Sequence, residues 1–430
     1  MLSADRYDAV VVGSGAGGAT LARDLSRKGR RVLVLERGRL ETQLGTFRDA
    51  VRYYDNNPVT RVPQKSGEGV ILWHTHMAGG STMVACCNMV RSQERTLAEL
   101  GVTLDAEFAA AEDEIGISPL DDRLMSPGSR RLQWAAGELG YHFQPMPKCI
   151  RPDRCRQCGQ CTLGCRHDAH WSALDYLRDA TDHGAEVWYE TLVEEVVIRN
   201  GRAIGVRARG KDGRVEVGAA ATVVAAGGLG TPVILQRSGL RTAGEGLFID
   251  TLVNTYGVTR DLNQIHEPQM ALVDLEFHAE KGFLLSPYVN HARMVRFIEL
   301  GARGMALPDA RLLGIMTKIA DEPVGRVFPD GSVSKPVTPT DKQRINAGTD
   351  VAREILVKAG ADAHSIVTTR PSGAHPGGTA AIGRVVDSEL QTEVDGLFVC
   401  DASVLPAAPG LPPILTIVAL AKRLAKTLAA

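Results

Sequence analysis

Short apolar runs punctuated by glycine open the chain. Residues 8–12 read DAVVV, which predicts a short buried strand. The turn Gly13-Ser14-Gly15-Ala16-Gly17-Gly18 leads into a helical run over residues 19–28, which Gly29 ends. Residues 31–35 predict a second strand, finishing at Glu36. A further buried run, ATVVAAGG at 221–228, again meets glycines. Residues 283–289 predict a strand, and Phe328-Pro329-Asp330-Gly331-Ser332-Val333 predicts a hairpin turn. Thr338-Pro339-Thr340-Asp341 precedes a helical stretch over 342–359, with Thr340 or Asp341 as its cap and Gly360 as its stop. The stretch 414–430 is apolar but carries Lys422, Arg423 and Lys426, the pattern of a helix packed on one face. No run reaches the roughly 18 uninterrupted apolar residues of a membrane span.

Composition narrows the class. At roughly 150 residues per domain, the 430-residue chain holds two or three domains' worth of sequence. Hydrophobic residues make up 44% and charged residues 23%, which excludes a disordered, collagenous or disulfide-miniprotein chain. Lys plus Arg is 49 against 50 Asp plus Glu, so nothing suggests a nucleic-acid or anionic-membrane binder. The 45 glycines point to tight turns and close backbone approaches to a ligand. The opening MLSADRYDAVVVGSG lacks the basic-then-apolar pattern of a secretory leader, so the expected location is cytoplasmic.

The first turn carries chemistry. Gly13, Gly15 and Gly18 fill the three glycine places of G-x-G-x-x-G. There the first glycine allows the tight turn, the second lets a pyrophosphate approach the backbone, and the third lets helix and strand pack closely. The helix start offers unpaired N–H groups to phosphates. Glu36 stands where a carboxylate accepts from an adenosine ribose hydroxyl. Strand, helix, strand and acid in this order point to a bound dinucleotide. The structural alternative is a close-packed turn without a ligand.

The chain resembles the glucose–methanol–choline (GMC) oxidoreductases. The resemblance is carried by the glycine turn, HMAGGSTMVACCNMVR around Gly79, the block 221–240, SGAHPGGTAAIG around His375 and VVDSELQTEVDGLFVCDASVLP at 385–406. It implies an α/β fold: a Rossmann-like FAD-binding domain and a second, α+β substrate domain containing an antiparallel sheet. The matching divisions are 1–240 for the first part of the FAD domain, 241–371 for the substrate domain, and 372–430 for the C-terminal part of the FAD domain. The resemblance also implies oxidation of a CH–OH group by hydride transfer to FAD. Gly13, Gly15, Gly18 and Glu36 match the pyrophosphate and ribose positions. Gly79, Gly80 and Ser81 resemble the loop beside the flavin ring, and Val193 the valine whose backbone holds adenine. Asp401 resembles the aspartate near the ribityl and pyrophosphate groups, and His375 stands at the family's active-site histidine. The sequence departs from the pattern at Pro412, which replaces the usual second Asn or His, and at Ala85, which replaces an Asn with Asn88 three residues on. Gly228 and Arg241 also depart from the second signature.

Five of the eight cysteines fall between Cys149 and Cys165. Within that segment, 149–170, Cys155, Cys158, Cys161 and Cys165 have the C-x2-C-x2-C-x3-C spacing of bacterial ferredoxins, with Arg166 replacing the usual proline. The spacing predicts an iron–sulfur cluster, 4Fe–4S, with Cys165 or Cys149 as the fourth ligand. Zinc, with His167 and His170 close by, and an unliganded loop are the alternatives. Paired with a flavin, a cluster would pass electrons singly to an external redox protein or quinone.

Three functional readings follow. The first is a dehydrogenase acting on a small-molecule alcohol, with His375 as base and electrons leaving through the cysteines. The second is a reductase saturating a C=C or C=O bond of a carbonyl substrate, motivated by Pro412 and the apolar segment 411–415. The third is an electron-transfer subunit. His74, His76, Cys86 and Cys87 are further candidates near the flavin loop. His266, Glu267, Tyr288, Asn290 and His291 are unranked candidates in the substrate domain.

Overall fold

The computed structural model describes residues 7–54 and 63–430. Residues 1–6, part of the leader reading, lie outside the described residues.

A seven-stranded sheet holds the ends of the chain together. Strand Tyr7–Val12 lies between Val32–Leu35 and the distal half of Gly213–Val224, all parallel. Glu186–Trp188 extends one side, and Leu397–Val399 pairs with Thr222 to Val224 on the other. These strands are Val- and Leu-rich because helices or loops cover both faces. The proximal half of Gly213–Val224 turns antiparallel and pairs with Arg202–Gly210, which in turn pairs with Leu192–Arg199. The register aligns the carboxyl ends: Val12 pairs with Leu35 and Val224, and Val224 pairs with Val399. Gly13, Glu36, Ala225 and the segment leading to Asp401 therefore leave the sheet at one edge, where open α/β sheets bind ligands.

The first helix runs Ala16–Ser26, three residues ahead of the sequence reading, because Gly17 and Gly18 belong to its first turn. It packs against the C-terminal helix Ile414–Ala429, whose buried face carries Leu415, Val418, Ala421 and Ala425.

A second sheet is mostly antiparallel, in the order Phe283–Pro287, Leu312–Ile319, Thr251–Val258, Ser372–Gly373 and Ile71–Leu72. The only parallel pairing on this path is Ser372–Gly373 with Ile71–Leu72. One face of this sheet is covered by the helix Pro339–Lys358, with Phe283, Leu285, Ile315 and Ile319 packed against Ile345, Ile355 and Leu356. That helix is capped by Thr338 rather than by Thr340 or Asp341. Thr338 Oγ1 accepts from the Asp341 N–H at 3.1 Å and Asp341 Oδ2 accepts from the Thr338 N–H at 3.1 Å, which leaves Pro339 at the first helical position. The strand expected over 283–289 ends at Pro287, which has no N–H for the ladder. The hairpin at 328–333 forms between Gly325–Val327 and Val333–Ser334.

The other face of this sheet looks back at the carboxyl edge of the first. Period-2 alternation puts Leu252 and Asn254 of one strand, and Met316 and Lys318 of its neighbour, on that face, in register as Leu252–Lys318 and Asn254–Met316. The start of strand Thr251–Val258 is braced from below. Asp321 accepts from the N–H groups of Ile249 and Thr251 and pairs with Lys335 at 2.8 Å, with both side chains fully buried.

Candidate active site

A cleft of about 930 Å³ lies between the carboxyl edge of the first sheet and the open face of the second. Its lining includes Gly13, Gly15, Glu36, Gly80, Ser81, Val193 and Asp401 at one end and Leu252, Met316, Lys318 and His375 at the other.

The glycines at the first end do separate jobs. Gly13 has φ +101°, and a Cβ there would stand 2.4 Å from the Ala225 carbonyl oxygen. A Cβ on Gly18 would meet the Gly13 carbonyl oxygen at 2.0 Å. Gly17, which the motif leaves as a free position, is held by packing: its Cβ would meet the Cys400 carbonyl oxygen at 1.8 Å. Gly15 alone of the four faces open space, on the cleft. Glu36, 5% exposed, accepts from the Ser14 N–H at 3.0 Å, the Ser14 hydroxyl at 2.6 Å and the Gly38 N–H at 2.7 Å. The Ser14 hydroxyl in turn accepts from the Gly79 N–H at 3.1 Å, which draws the Gly79–Gly80–Ser81 loop over the turn. Ser81 Oγ accepts from the Thr75 N–H at 3.1 Å. Asp401 accepts from the N–H groups of Gly227 and Ser403 at 2.8 and 2.7 Å and from the Thr231 hydroxyl at 2.5 Å, at the start of helix Gly227–Arg237.

These residues fit an FAD. The vacant Cβ direction at Gly15 gives a pyrophosphate access to the helix start, and the buried Thr75 Oγ1 in the cleft wall has no partner among the described residues. Glu36 retains acceptor capacity for a ribose hydroxyl.

At the other end, His375 Nδ1 lies 2.8 Å from Asp250 Oδ2, and Asp250 Oδ1 accepts from the Gly410 N–H at 2.8 Å. Burial, reinforced by the Lys318 charge, holds the imidazole well below the usual histidine range. Burial pushes the Asp250 carboxyl up to about 7, against the opposing effects of Lys318 and the Gly410 N–H. Lys318 itself is 1% exposed. Neither Asp250 nor Lys318 was singled out by the sequence reading. The signal was present as a lone acid after GLFI and a lone lysine in LLGIMTKI, each a charge inside an apolar run. Pro412 does line the cleft, as its place in the sequence implies.

The sequence assigns the chain once this geometry is in place. The GMC oxidoreductase N-terminal family model matches residues 7–262 and the C-terminal family model matches residues 328–421. This chain belongs to the GMC oxidoreductase family. It is an FAD-dependent oxidoreductase of a family that acts on alcohol-type substrates. Among its relatives, an uncharacterized protein of Methanocaldococcus jannaschii is 30% identical over 421 residues, covering 97% of this chain and 98% of the relative. A long-chain-alcohol oxidase of Arabidopsis thaliana is 25% identical over 519 residues, covering 97% of this chain and 67% of the relative. The solved structure of pyridoxine 4-oxidase from Mesorbium loti superposes with a TM-score of 0.78 at 18% identity, covering 98% of this chain and 99% of that one. This likeness extends the GMC fold over both sheets.

The cysteine run of this GMC oxidoreductase does not form the ligand set expected from its spacing. Among the described residues, no group of three or more His, Cys, Asp or Glu side chains is placed to hold a metal ion. Gln157 and Gly159 take left-handed conformations, and a Cβ on Gly159 would stand 2.3 Å from the Ile265 carbonyl oxygen. Cys161 opens the 3-10 turn Cys161–Leu163, where burial pushes its thiol well up. The turn is pinned by Tyr53 and Tyr54, whose hydroxyls donate to the carbonyls of Leu163 and Thr162. Cys155 is half-buried against the core of the second sheet, and Cys165 Sγ accepts from the Ala169 N–H at 3.4 Å. His170 is buried, with Nδ1 against the Trp171 carbonyl at 2.9 Å. Iron and acid-labile sulfide, assayed on protein purified without oxygen, test the cluster expected from the spacing: about four irons per chain would establish it, and background iron would remove it.

The remaining candidates divide by position. His74, His76 and Cys86 line the cleft, and burial pushes the His74 imidazole down to about 4. Cys87 is buried. Tyr288 and Asn290 line the cleft, and Asn290 donates to Glu299 at 2.6 Å. Glu267 caps helix Pro127–Glu138 by accepting from Ser126 and Ser129, His266 is exposed, and His291 stacks on Phe47. No helix among the described residues is long and apolar enough to cross a membrane.

Proposed function

We propose that this protein oxidises the CH–OH group of a small alcohol with an apolar body, with His375 as the base. The carrying observation is the His375–Asp250 pair at the cleft floor, 2.8 Å apart, with burial keeping the imidazole in its proton-accepting form. Bound FAD supplies a two-electron acceptor for hydride. The remaining work falls to the chain. Asp250 holds Nδ1, which fixes the ring and leaves Nε2 to take the hydroxyl proton. The O–H bond breaks as an N–H bond forms, and Asp250 steadies the imidazolium. Leu252, Met270, Tyr288, Met316 and Pro412 offer mostly apolar surface to the carbon body and exclude water. On this reading Gly13, Gly15, Gly18 and Glu36 hold pyrophosphate and ribose, and the Val193 backbone meets the adenine. Gly79, Gly80, Ser81 and Asp401 then lie along the flavin and its chain. The named activities of the Arabidopsis thaliana relative and of pyridoxine 4-oxidase support an alcohol as donor.

The test is anaerobic mixing of the FAD-loaded protein with a panel of primary and secondary alcohols. Bleaching of the flavin by alcohols is expected. Bleaching by none of them, together with reoxidation of prereduced protein by an unsaturated carbonyl compound, would establish the reductase reading instead.

A further inference from the structure

The usual second polar group of the family's pair is missing at Pro412, and the cleft supplies a candidate on a different element. Lys318 sits on strand Leu312–Ile319, every residue of which is buried, and its side chain lines the cleft. Across the sheet, Lys318 pairs with Leu252, and Leu252 pairs with Ser372, three residues before His375. The lysine and the histidine therefore share one wall. Asp250 immediately precedes the strand that carries Leu252.

The lysine is also unpartnered. No hydrogen bond or ion pair engages its Nζ among the described residues, although the molecule's other fully buried lysines, Lys148 and Lys335, have three or more contacts each. Burying an ammonium group without a hydrogen-bond partner is costly, and a ligand oxygen in the cleft would offset that cost. The buried polar atom without a partner on this face, Asn254 Oδ1, is a carbonyl oxygen and can only accept. Asn254 spends its amide N–H on Glu299 at 3.4 Å. Negative charge developing on a substrate oxygen is therefore met on this face by Lys318.

We propose that Lys318 is a second catalytic residue, its ammonium group binding the oxygen of the substrate hydroxyl and stabilising the alkoxide that forms as His375 removes the proton. This rests on the alcohol-oxidation reading. No new bond forms at Nζ: the hydroxyl proton goes to His375, and Lys318 keeps its own protons. The titratable groups around it are Asp250, His375, His278 and Cys86. Burial brings its pKa down to about 8, so the charge is present below that pH and lost above it.

The experiment compares FAD-loaded wild type with Lys318→Met and Lys318→Arg. Three readouts are taken: anaerobic flavin reduction by n-alkanols, binding of n-alkanoates followed by flavin absorbance, and thermal melting. Removal of one oxyanion donor is expected to slow reduction about 100-fold or more. Alkanoate affinity should fall at least about tenfold, since a carboxylate probes the same oxyanion site. Lys318→Arg should restore most of both, and its rate should lose the alkaline limb that wild type shows near pH 8. Three results would overturn the assignment: Lys318→Met reducing within about twofold of wild type, unchanged alkanoate binding, or a wild-type rate that rises through pH 8 as for a lysine base. If wild type is bleached by no alcohol, the functional reading fails, and the alkanoate titration still decides whether Lys318 binds an oxyanion.

Discussion

Replacing His375 by Ala is expected to slow anaerobic flavin reduction by alcohol about 10²- to 10⁴-fold, the span of a lost general base. Flavin content should be unchanged, because the groups placed at the dinucleotide end of the cleft are untouched. The pH profile supplies a second check. Burial and the Lys318 charge push the His375 pKa well below the ordinary value. A group shifted this way stays unprotonated, and so able to accept, until the pH falls below the lowered value. The histidine itself should therefore impose no acid limb near pH 6.5. The acid limb expected near pH 7 belongs to Asp250, whose carboxyl burial pushes up to about 7, and Asp250→Asn should abolish it. A His375→Ala variant within about threefold of wild type would remove the histidine from this role. Asp250→Asn separates orientation from charge. It keeps a hydrogen-bonding partner for Nδ1, so it should cost less than loss of the ring.

The second large effect is a contrast between two neighbouring glycines. Gly15→Ala adds a methyl where no protein atom lies within 4 Å, at φ −69°, which alanine adopts freely. The apoprotein should melt at or slightly above the wild-type temperature, yet fail to retain FAD, because the methyl fills the approach of the pyrophosphate. Gly17→Ala adds a methyl 1.8 Å from the Cys400 carbonyl oxygen. Backbone must move, and overpacking of this kind costs about 1–3 kcal/mol or more. It also displaces the residue next to Asp401, so stability and flavin should fall together. Melting curves and flavin-to-protein ratios on both variants check this. Equal loss of stability in both would show that Gly15 is a packing residue.

The sequence showed the nucleotide end of the site more clearly than the chemical end, for a physical reason. A glycine turn with an acid at the end of the next strand is local. Gly13, Gly15, Gly18 and Glu36 could therefore be read from one short stretch, and the structure places Gly13, Gly15 and Glu36 along one end of the cleft, with Gly18 packed against the Gly13 carbonyl oxygen. His375 was legible only through its resemblance to a family motif, and its partner Asp250 lies 125 residues away. That pairing depends on Ser372–Gly373 adding to the strand that Asp250 precedes, a long-range register no window of sequence contains. Lys318 belongs to no motif, and its mark is a single charge in an otherwise apolar strand. The cysteine run shows what spacing alone leaves open. Its spacing permits four thiolates to converge, while Gly159 approaches the Ile265 carbonyl and the turn at Cys161 is held by Tyr53 and Tyr54, contacts that the spacing does not contain. The helix cap moved to Thr338 because Pro339, lacking an N–H, suits the first helical position.

The shared register of Val12, Leu35, Val224 and Val399 has a consequence for the order of synthesis. Gly13 leaves a ribosome about 390 residues ahead of Asp401. Until Leu397–Val399 emerges, the strand bearing Thr222, Val223 and Val224 has an unpaired parallel edge, and Gly17 has no Cys400 carbonyl against it. The growing chain thus carries the glycine turn through that interval without the far wall of the cleft. A complete flavin site is expected only once Asp401 is made, and chains that stop short of residue 399 leave an exposed sheet edge open to self-association.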